Sequence, residues 1–338
     1  MVAVGEIRRS GSRVMTGDAL IEILPPAGRS LVTVDPLDAT LGSVAREAWD
    51  EFFCAVIRNR HTRATYLHAV RLFLTWVASR GAGPGPITPG MVGAYFDQHK
   101  GSIPTKKVHL AGLRAFFDVL VNRHVITQNP AATVRGERYQ AVEGKTPEIS
   151  RDQARTLLAS INTSRPVDLR DKAIIATLIY TAARAGAVAG LKLKDFSYDG
   201  TQYSLRFLEK NGKSRSIPIR HDLQILLLAY LASFDSQAEP KDAPFFRSVA
   251  GRTGELTRRP IRNVDICRMV KRRLREAGLP EHLSPHSFRV ATVTDLLTQG
   301  VSLEDVQYLA GHADPRTTRL YDRRQKQVTR NTVERISI

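Results

Sequence analysis

The chain has 338 residues, 42% of them apolar, and a formal charge of +17 from 50 Lys+Arg against 33 Asp+Glu. That length exceeds one ordinary domain, and the apolar content is enough for two cores. The positive excess asks for a polyanionic partner, and duplex DNA, with about one negative charge per 1.7 Å of axis, is the natural candidate. The two cysteines, Cys54 and Cys267, show no CxxC or Cys/His spacing, which argues against a disulfide framework and a zinc site. No run of about 18 apolar residues is present and the N-terminus lacks a signal-peptide core, so a cytoplasmic protein with no membrane partner is expected.

Residues 1–44 read as an extension punctuated by Gly and Pro, with β-prone stretches at 19–24 and 30–34. From Ser43 the pattern turns helical, through VAREAWDEFFCAVI and then TRATYLHAVRLFLTWVASRG. In the latter, Tyr66, Val70, Phe73 and Val77 recur on one helical face, a core stripe. Gly81 to Pro89 is a connector, MVGAYFDQHK a short helix, and Ser102-Ile-Pro104 opens a helix through KKVHLAGLRAFFDVLVNR. On it Val108, Leu110, Leu113 and Phe117 are expected to pack inward, while Lys106, Lys107 and Arg114 form a basic strip. That strip is either a solvated face or one that meets phosphates or the major groove.

Residues 135–149 lack periodicity and carry two Gly and a Pro, as an interdomain linker does. Ser150 with Gln153 forms an S-x-x-Q capping box that opens a second unit, 150–338. DLRDKAIIATLIYTAA is a strongly apolar helix, central to a second core. Three β-prone runs follow, 194–198, 203–208 and 214–219, with Gly200 and Asn211-Gly212 at the turns. Helices resume in DLQILLLAYLASF, IRNVDICRMVKRRLREAGL, PHSFRVATVTDLLTQG and LEDVQYLAGH. The fold class expected is therefore mainly α: a helical unit over 45–134, then an α+β unit with a small antiparallel sheet.

Three separated segments carry groups able to act on a phosphodiester, which needs a nucleophile, charge stabilisation and a proton for the leaving oxygen. Arg184 stands just past the apolar helix. His286 and Arg289 lie three apart, on adjoining positions of one helical face. His312 precedes Tyr321 by nine residues, across a turn at Ala313-Asp-Pro315. Singly these are weak signals, since a lone Arg is usually a surface ion pair and a lone Tyr half-buried core.

Taken together and in order, Arg184, Lys210 in EKNGKSRSIPI, His286 and Arg289 in SPHSFR, Gly311-His312 and Tyr321 resemble the tyrosine recombinase and phage-integrase family. The resemblance spans roughly residues 45–325 and leaves the extension outside. It implies a two-domain clamp, with 45–134 as a core-binding, DNA-binding domain and 150–338 as the catalytic domain. It also inclines Lys106, Lys107 and Arg114 towards DNA contact. A site-specific recombinase follows, acting on paired double-stranded sites as a tetramer, with accessory proteins in some cases, to integrate, excise or resolve a mobile element or replicon.

Within that likeness Tyr321, whose phenol ordinarily titrates near 10, is the nucleophile and must lose its proton as it attacks. Arg184 and Arg289 would hold the non-bridging phosphate oxygens with paired N–H donors. His312 is a third donor and His286 a hydrogen-bond or proton-transfer partner. Lys210 is the acid for the departing 5′-oxygen, with Lys213 as the alternative; Tyr308 and Tyr180 are expected to be packed in core helices. The bond energy stays in a 3′-phosphotyrosyl ester, so no metal, ATP or other cofactor is expected, and the sequence carries no P-loop pattern and no clear acidic metal cluster.

Two positions depart from the family pattern. Ala187 stands where an acidic residue is usual, with Asp195 as a possible substitute, and Val290 stands where a second His often follows. The tail beyond Tyr321 has Val328, Val333, Ile336 and Ile338 in partly helical spacing, and the resemblance implies docking on a neighbouring protomer. The competing readings are a DNA-binding accessory protein of the same fold that does not cut, and a type IB topoisomerase-like enzyme.

Overall fold

The computed structural model describes residues 47–80, 87–138, 146–208, 214–251 and 253–321. The two β-prone stretches of the extension, the Asn211-Gly212 turn, Lys210, Lys213 and the tail after Tyr321 lie outside them. The chain divides into two compact units, Met1–Gln140 and Ala141–Ile338. Both are helical, and the second also carries small antiparallel sheets.

In the first unit a π-helical segment, Glu51–Val56, leads into α1 (Arg60–Ala78), α2 (Pro89–Gln98) and α3 (Ile103–Asn122). The Asn59 side chain accepts the His61 and Thr62 N–H groups and so starts α1, and Thr88 does the same for α2 through Met91 N–H. The core is an aromatic cluster of Phe52, Phe53, Phe73, Phe116 and Phe117 with Val70 and Leu113. Val70, Phe73 and Val77 are buried and Tyr66 packs at the edge, along the α1 face that the periodicity predicts. The expected inward face of α3 needs one correction. Leu110, Leu113 and Phe117 are buried, but Val108 is 42% exposed. The buried stripe runs through His109, Leu113, Phe116 and Leu120, and Val108 falls outside it.

The second unit opens with α4 (Arg151–Ser160), whose Ser150–Gln153 capping box has both reciprocal bonds in place. Helix α5 (Pro166–Thr181) is buried over most of its length and supplies Ile174, Ile175 and Leu178 to the main core. Short α6 (Ala185–Ala189) and a 3₁₀ turn at Leu193–Asp195 precede a meander of β1 (Phe196–Tyr198), β2 (Tyr203–Leu208) and β3 (Ser214–Pro218). In the β2–β3 pair Leu205 faces Ile217 and Leu208 faces Ser214. Then come α7 (His221–Ala232), β4 (Arg247–Val249), β5 (Leu256–Pro260), α8 (Asn263–Glu276), α9 (Pro285–Thr298), α10 (Leu303–Ala310) and α11 (Pro315–Arg319).

The β4–β5 ribbon is a second sheet that the sequence pattern does not announce. Its strands are three and five residues long, and a register shift between Arg247 and Val249 breaks the alternation. Where α5 meets α8, a buried ionic network joins the two helices. The Asp171 carboxylate accepts from Arg170, Arg272 and Arg273, and Asp168 accepts from Arg165 and Arg273. Among the described residues no helix is long and apolar enough to cross a membrane.

Candidate active site

The end of α5 sets the site up. Helix α5 stops at Ala182, a buried non-glycine residue at φ +50°, in the left-handed region that costs an L-residue roughly 1–2 kcal/mol. The turn aims its carbonyl at Arg289, whose Nη1 donates to it. Two residues on, Arg184 precedes α6 and donates from Nη1 to the Gly311 carbonyl at 3.0 Å. Arg289, only 1% exposed, projects from the first turns of α9 together with His286. A Ser284–Ser287 capping box and Pro285 fix that helix start.

The opposite wall comes from α10 and α11. Gly311 ends α10 in the left-handed conformation, φ +63°, a position suited to glycine. The chain then reverses into His312, whose main chain is clamped twice by Gln307: His312 N–H donates to the Gln307 carbonyl, and Gln307 Nε2 donates to the His312 carbonyl, both at 3.1 Å. Asp314 caps α11 by accepting from Arg316 N–H. One turn of α11 delivers Tyr321, which is 8% exposed and packs on Ala182, Val290 and Val293.

These elements bring five of the predicted residues into relation with one another. The Tyr321 hydroxyl lies 3.3 Å from His286 Nε2. The His312 ring lies flat against the Tyr321 ring, with centroids 5.7 Å apart and planes 6° from parallel. Arg289 and Arg184 are close enough to act electrostatically on both histidines. Desolvation, then the positive charge of Arg289 and of Arg184, holds His286 below the ordinary imidazole range although the residue is partly open to solvent. His312 is pushed down to about 3 by burial and then by Arg289, Arg184, His286 and Arg215. Both rings are therefore neutral at pH 7 inside a positive field, an arrangement that suits an anionic phosphate and an acceptor for a phenolic proton.

Arg215 on β3 is a residue the sequence reasoning missed. It is 5% exposed, lies over the Phe207 ring and donates from Nη1 to the Leu309 carbonyl near the end of α10. The signal was available: β3 alternates exposed and buried, and Arg215 shares the inward phase with Ile217. Asp195, the suggested stand-in for the acid absent at Ala187, has other work. Its carboxylate caps Lys192 N–H and pairs with Arg206 on β2. Lys210, expected at the hairpin tip, lies among residues 209–213, outside the described set, between the paired Leu208 and Ser214.

Tyr308 requires a correction. It is 59% exposed on α10 rather than packed in a core; Tyr180 is partly buried beneath Arg220. In the first unit, Lys106 pairs with Glu137 at 2.8 Å and Lys107 is exposed. Arg114 donates to the Ala131 and Val134 carbonyls and so ties α3 to the segment that follows it. Among the described residues no cluster of three or more His, Cys, Asp or Glu is arranged to hold a metal ion.

The pattern of the phage integrase family matches residues 147–328, more than half of the chain. The chain belongs to the phage integrase family. Tyrosine recombinase XerD of Listeria monocytogenes is 29% identical to it over 232 residues, covering 67% of this chain and 74% of the relative. Tyrosine recombinase XerC of Pelobacter propionicus is 28% identical over 267 residues, 77% of this chain and 84% of the relative. In solved structures the same fold recurs at low identity. The XerH site-specific recombinase bound to palindromic difH substrate aligns with a TM-score of 0.65 at 18% identity, covering 86% of this chain and 93% of that one. A lambda integrase dimer bound to a COC′ core site gives 0.61 at 17%, with coverage of 84% and 96%. This phage-integrase relationship supports site-specific recombinase activity for the chain.

Proposed function

We propose that the protein is a site-specific DNA recombinase that cleaves and rejoins strands through a 3′-phosphotyrosyl intermediate on Tyr321. The observation that carries this reading is the 3.3 Å approach of the Tyr321 hydroxyl to His286 Nε2, in a site where burial, and then Arg289 and Arg184, favour the neutral forms of both histidines.

In the first step the Tyr321 oxygen attacks the phosphorus, its proton passes to His286 Nε2, and the bond from phosphorus to the 5′-oxygen breaks. Arg184 and Arg289 stabilise the charge that grows on the non-bridging oxygens, and His312 donates to the same phosphate. Lys210 protonates the departing 5′-oxygen. In the second step a 5′-hydroxyl of the partner strand attacks the phosphotyrosine and gives its proton to the neutral Lys210 amine, and Tyr321 leaves with a proton returned from His286. The ester formed replaces the ester broken, so the cycle balances without ATP, and two guanidiniums supply the charge stabilisation that a metal provides elsewhere.

The family relatives, and neighbours whose structures hold a core site, a difH site or a tetramer on a Holliday junction, support a double-stranded DNA partner and a homo-oligomeric, tetrameric assembly on two paired sites. Residues 150–338 form the catalytic domain and 45–134 the core-binding domain, in which Lys106 and Lys107 meet phosphates while Arg114 shapes the strip they stand on. Integration, excision or resolution of a mobile element or replicon is the role such chemistry serves.

The test is a nicked suicide substrate carrying the recognised site. A protein–DNA adduct that survives SDS and is lost in Tyr321→Phe supports the proposal. DNA binding with no adduct would make the chain an accessory protein, and supercoil relaxation without strand exchange would make it topoisomerase-like.

A further inference from the structure

The fully buried hydroxyl of Thr318 is part of the site and has no role in the chemistry described above. Thr318 stands in α11, one turn before Tyr321, and its side chain is 0% exposed. Its Oγ1 lies 2.8 Å from Nδ1 of His312. Its carbonyl accepts the Tyr321 N–H at 3.0 Å, so a single residue touches both the ring that faces the nucleophile and the nucleophile's own backbone.

We infer that Thr318 is a positioning residue for strand cleavage: its hydroxyl donates to Nδ1 of His312 and thereby holds that imidazole in the tautomer with its proton on Nε2. The inference rests on the phosphotransfer reading above for its consequence, though not for its geometry.

The direction of the hydrogen bond follows from what each alternative leaves unmade. Among the described residues the imidazole nitrogen is the one hydrogen-bond partner of the Thr318 hydroxyl. If Nδ1 donated, the hydroxyl proton would be enclosed with no acceptor, and a buried donor left unsatisfied costs about 1–3 kcal/mol. If the hydroxyl donates, its proton and the Nδ1 lone pair are both satisfied. Threonine at this place in a longer helix would turn its hydroxyl to the carbonyl four residues back. Here α11 is only Pro315–Arg319, and the Asp314 carbonyl already accepts from Thr317 N–H at 3.0 Å.

The choice of tautomer matters because His312 carries one ring proton at neutral pH. Burial and the charges of Arg289, Arg184, His286 and Arg215 keep it neutral, with its titration pushed down to about 3. A neutral ring has one donor to offer. With the proton on Nε2 that donor is available to a phosphate oxygen; with the proton on Nδ1, Nε2 offers a lone pair that repels the same oxygen. His312 cannot turn about freely, since its ring is stacked on Tyr321 and its main chain is clamped by Gln307. Thr318 therefore sets the one variable that stacking leaves open, much as orienting partners set ligand tautomers in metal sites.

The experiment has two arms on the full chain. In the first, long-range ¹H–¹⁵N correlation of the histidine rings, assigned with His312→Gln, reads the His312 tautomer without DNA. The Nε2-protonated form is expected in the native protein and in Thr318→Ser, and a mixture or the Nδ1-protonated form in Thr318→Val. In the second, adduct formation on the nicked substrate is expected to slow about 10–100-fold in Thr318→Val and to return to within about threefold of native in Thr318→Ser, with DNA affinity unchanged. An Nδ1-protonated His312 in the native protein overturns the inference, and so does a folded Thr318→Val that cleaves at the native rate. Should Thr318→Val fail to fold, the native spectrum and the serine variant still decide. Failure of the native protein to form any adduct would remove the phosphotransfer reading alone, leaving the tautomer result to stand by itself.

Discussion

The second unit contains two clusters rich in arginine, and they handle that charge in opposite ways. Between α5 and α8, Arg170, Arg272 and Arg273 converge on the Asp171 carboxylate, which is 0% exposed, and Arg273 also reaches Asp168. At the other end of α5, Arg184, Arg215 and Arg289 donate to the main-chain carbonyls of Gly311, Leu309 and Ala182. A carboxylate cancels a guanidinium, whereas a carbonyl only orients it. Both histidines of the second cluster are pushed down, by burial first and then by Arg289 and Arg184. The lesson is that the residue type alone says little: at Asp171 arginines meet a buried carboxylate and join two helices, and at the other end of α5 they reach main-chain carbonyls beside the two histidines.

Substitutions can separate the two. The largest effect on folding is expected from Asp171→Ala, which leaves three guanidiniums around a buried gap. Removing one partner of a buried ionic network costs about 3–5 kcal/mol, read as a large drop in the denaturation midpoint. Arg184→Ala should do the converse. Arg184 is exposed, so stability is expected to change little, while cleavage of a nicked substrate falls about 10²–10³-fold with modest loss of DNA binding. Equal loss of binding and cleavage would contradict its assignment. Arg289 is a less clean probe, because at 1% exposure its removal also opens a cavity.

How far the sequence revealed this contrast depends on what each feature needs. Arg184, His286, Arg289, His312 and Tyr321 could be picked out because, taken in order, they resemble a family pattern; singly, a helix end, a helix face or the Gly311 turn made each only a weak signal. Arg215 has no such signal beyond the alternation of a five-residue strand, and the carbonyl it donates to, Leu309, is 94 residues away on α10. The β4–β5 ribbon escaped for a similar reason, since its strands are too short and irregular to show a period. Tyr308 was misread as core because an aromatic on an amphipathic helix usually faces inward; here it stands on the outer face of α10. The exposure of Val108 shows the limit of reading one helix face to within a single position.

The pH profile sharpens the comparison further. His286 is held below 6.5 by desolvation, Arg289 and Arg184, so its proton-accepting form persists at neutral pH. Cleavage should be flat near pH 7 and fall only as pH drops through the lowered value. In Arg184→Ala one source of positive charge is gone, the His286 titration rises, and the acid limb should move to higher pH. No movement of that limb would separate His286 from the arginine field. The smallest expected effect is at Gly311, where φ +63° makes Gly311→Ala cost about 1 kcal/mol of stability, with a slower cleavage step as the Arg184 anchor shifts.

The most direct measurement is chemical. After trapping on a nicked site, proteolysis and mass spectrometry locate the nucleotide on the protein, and polynucleotide kinase reports on the DNA end. A nucleotide on the Tyr321 phenol, with a 5′-end that takes up phosphate without prior dephosphorylation, is the predicted result. Attachment at any other residue, or through a 5′-phosphate, would contradict the account.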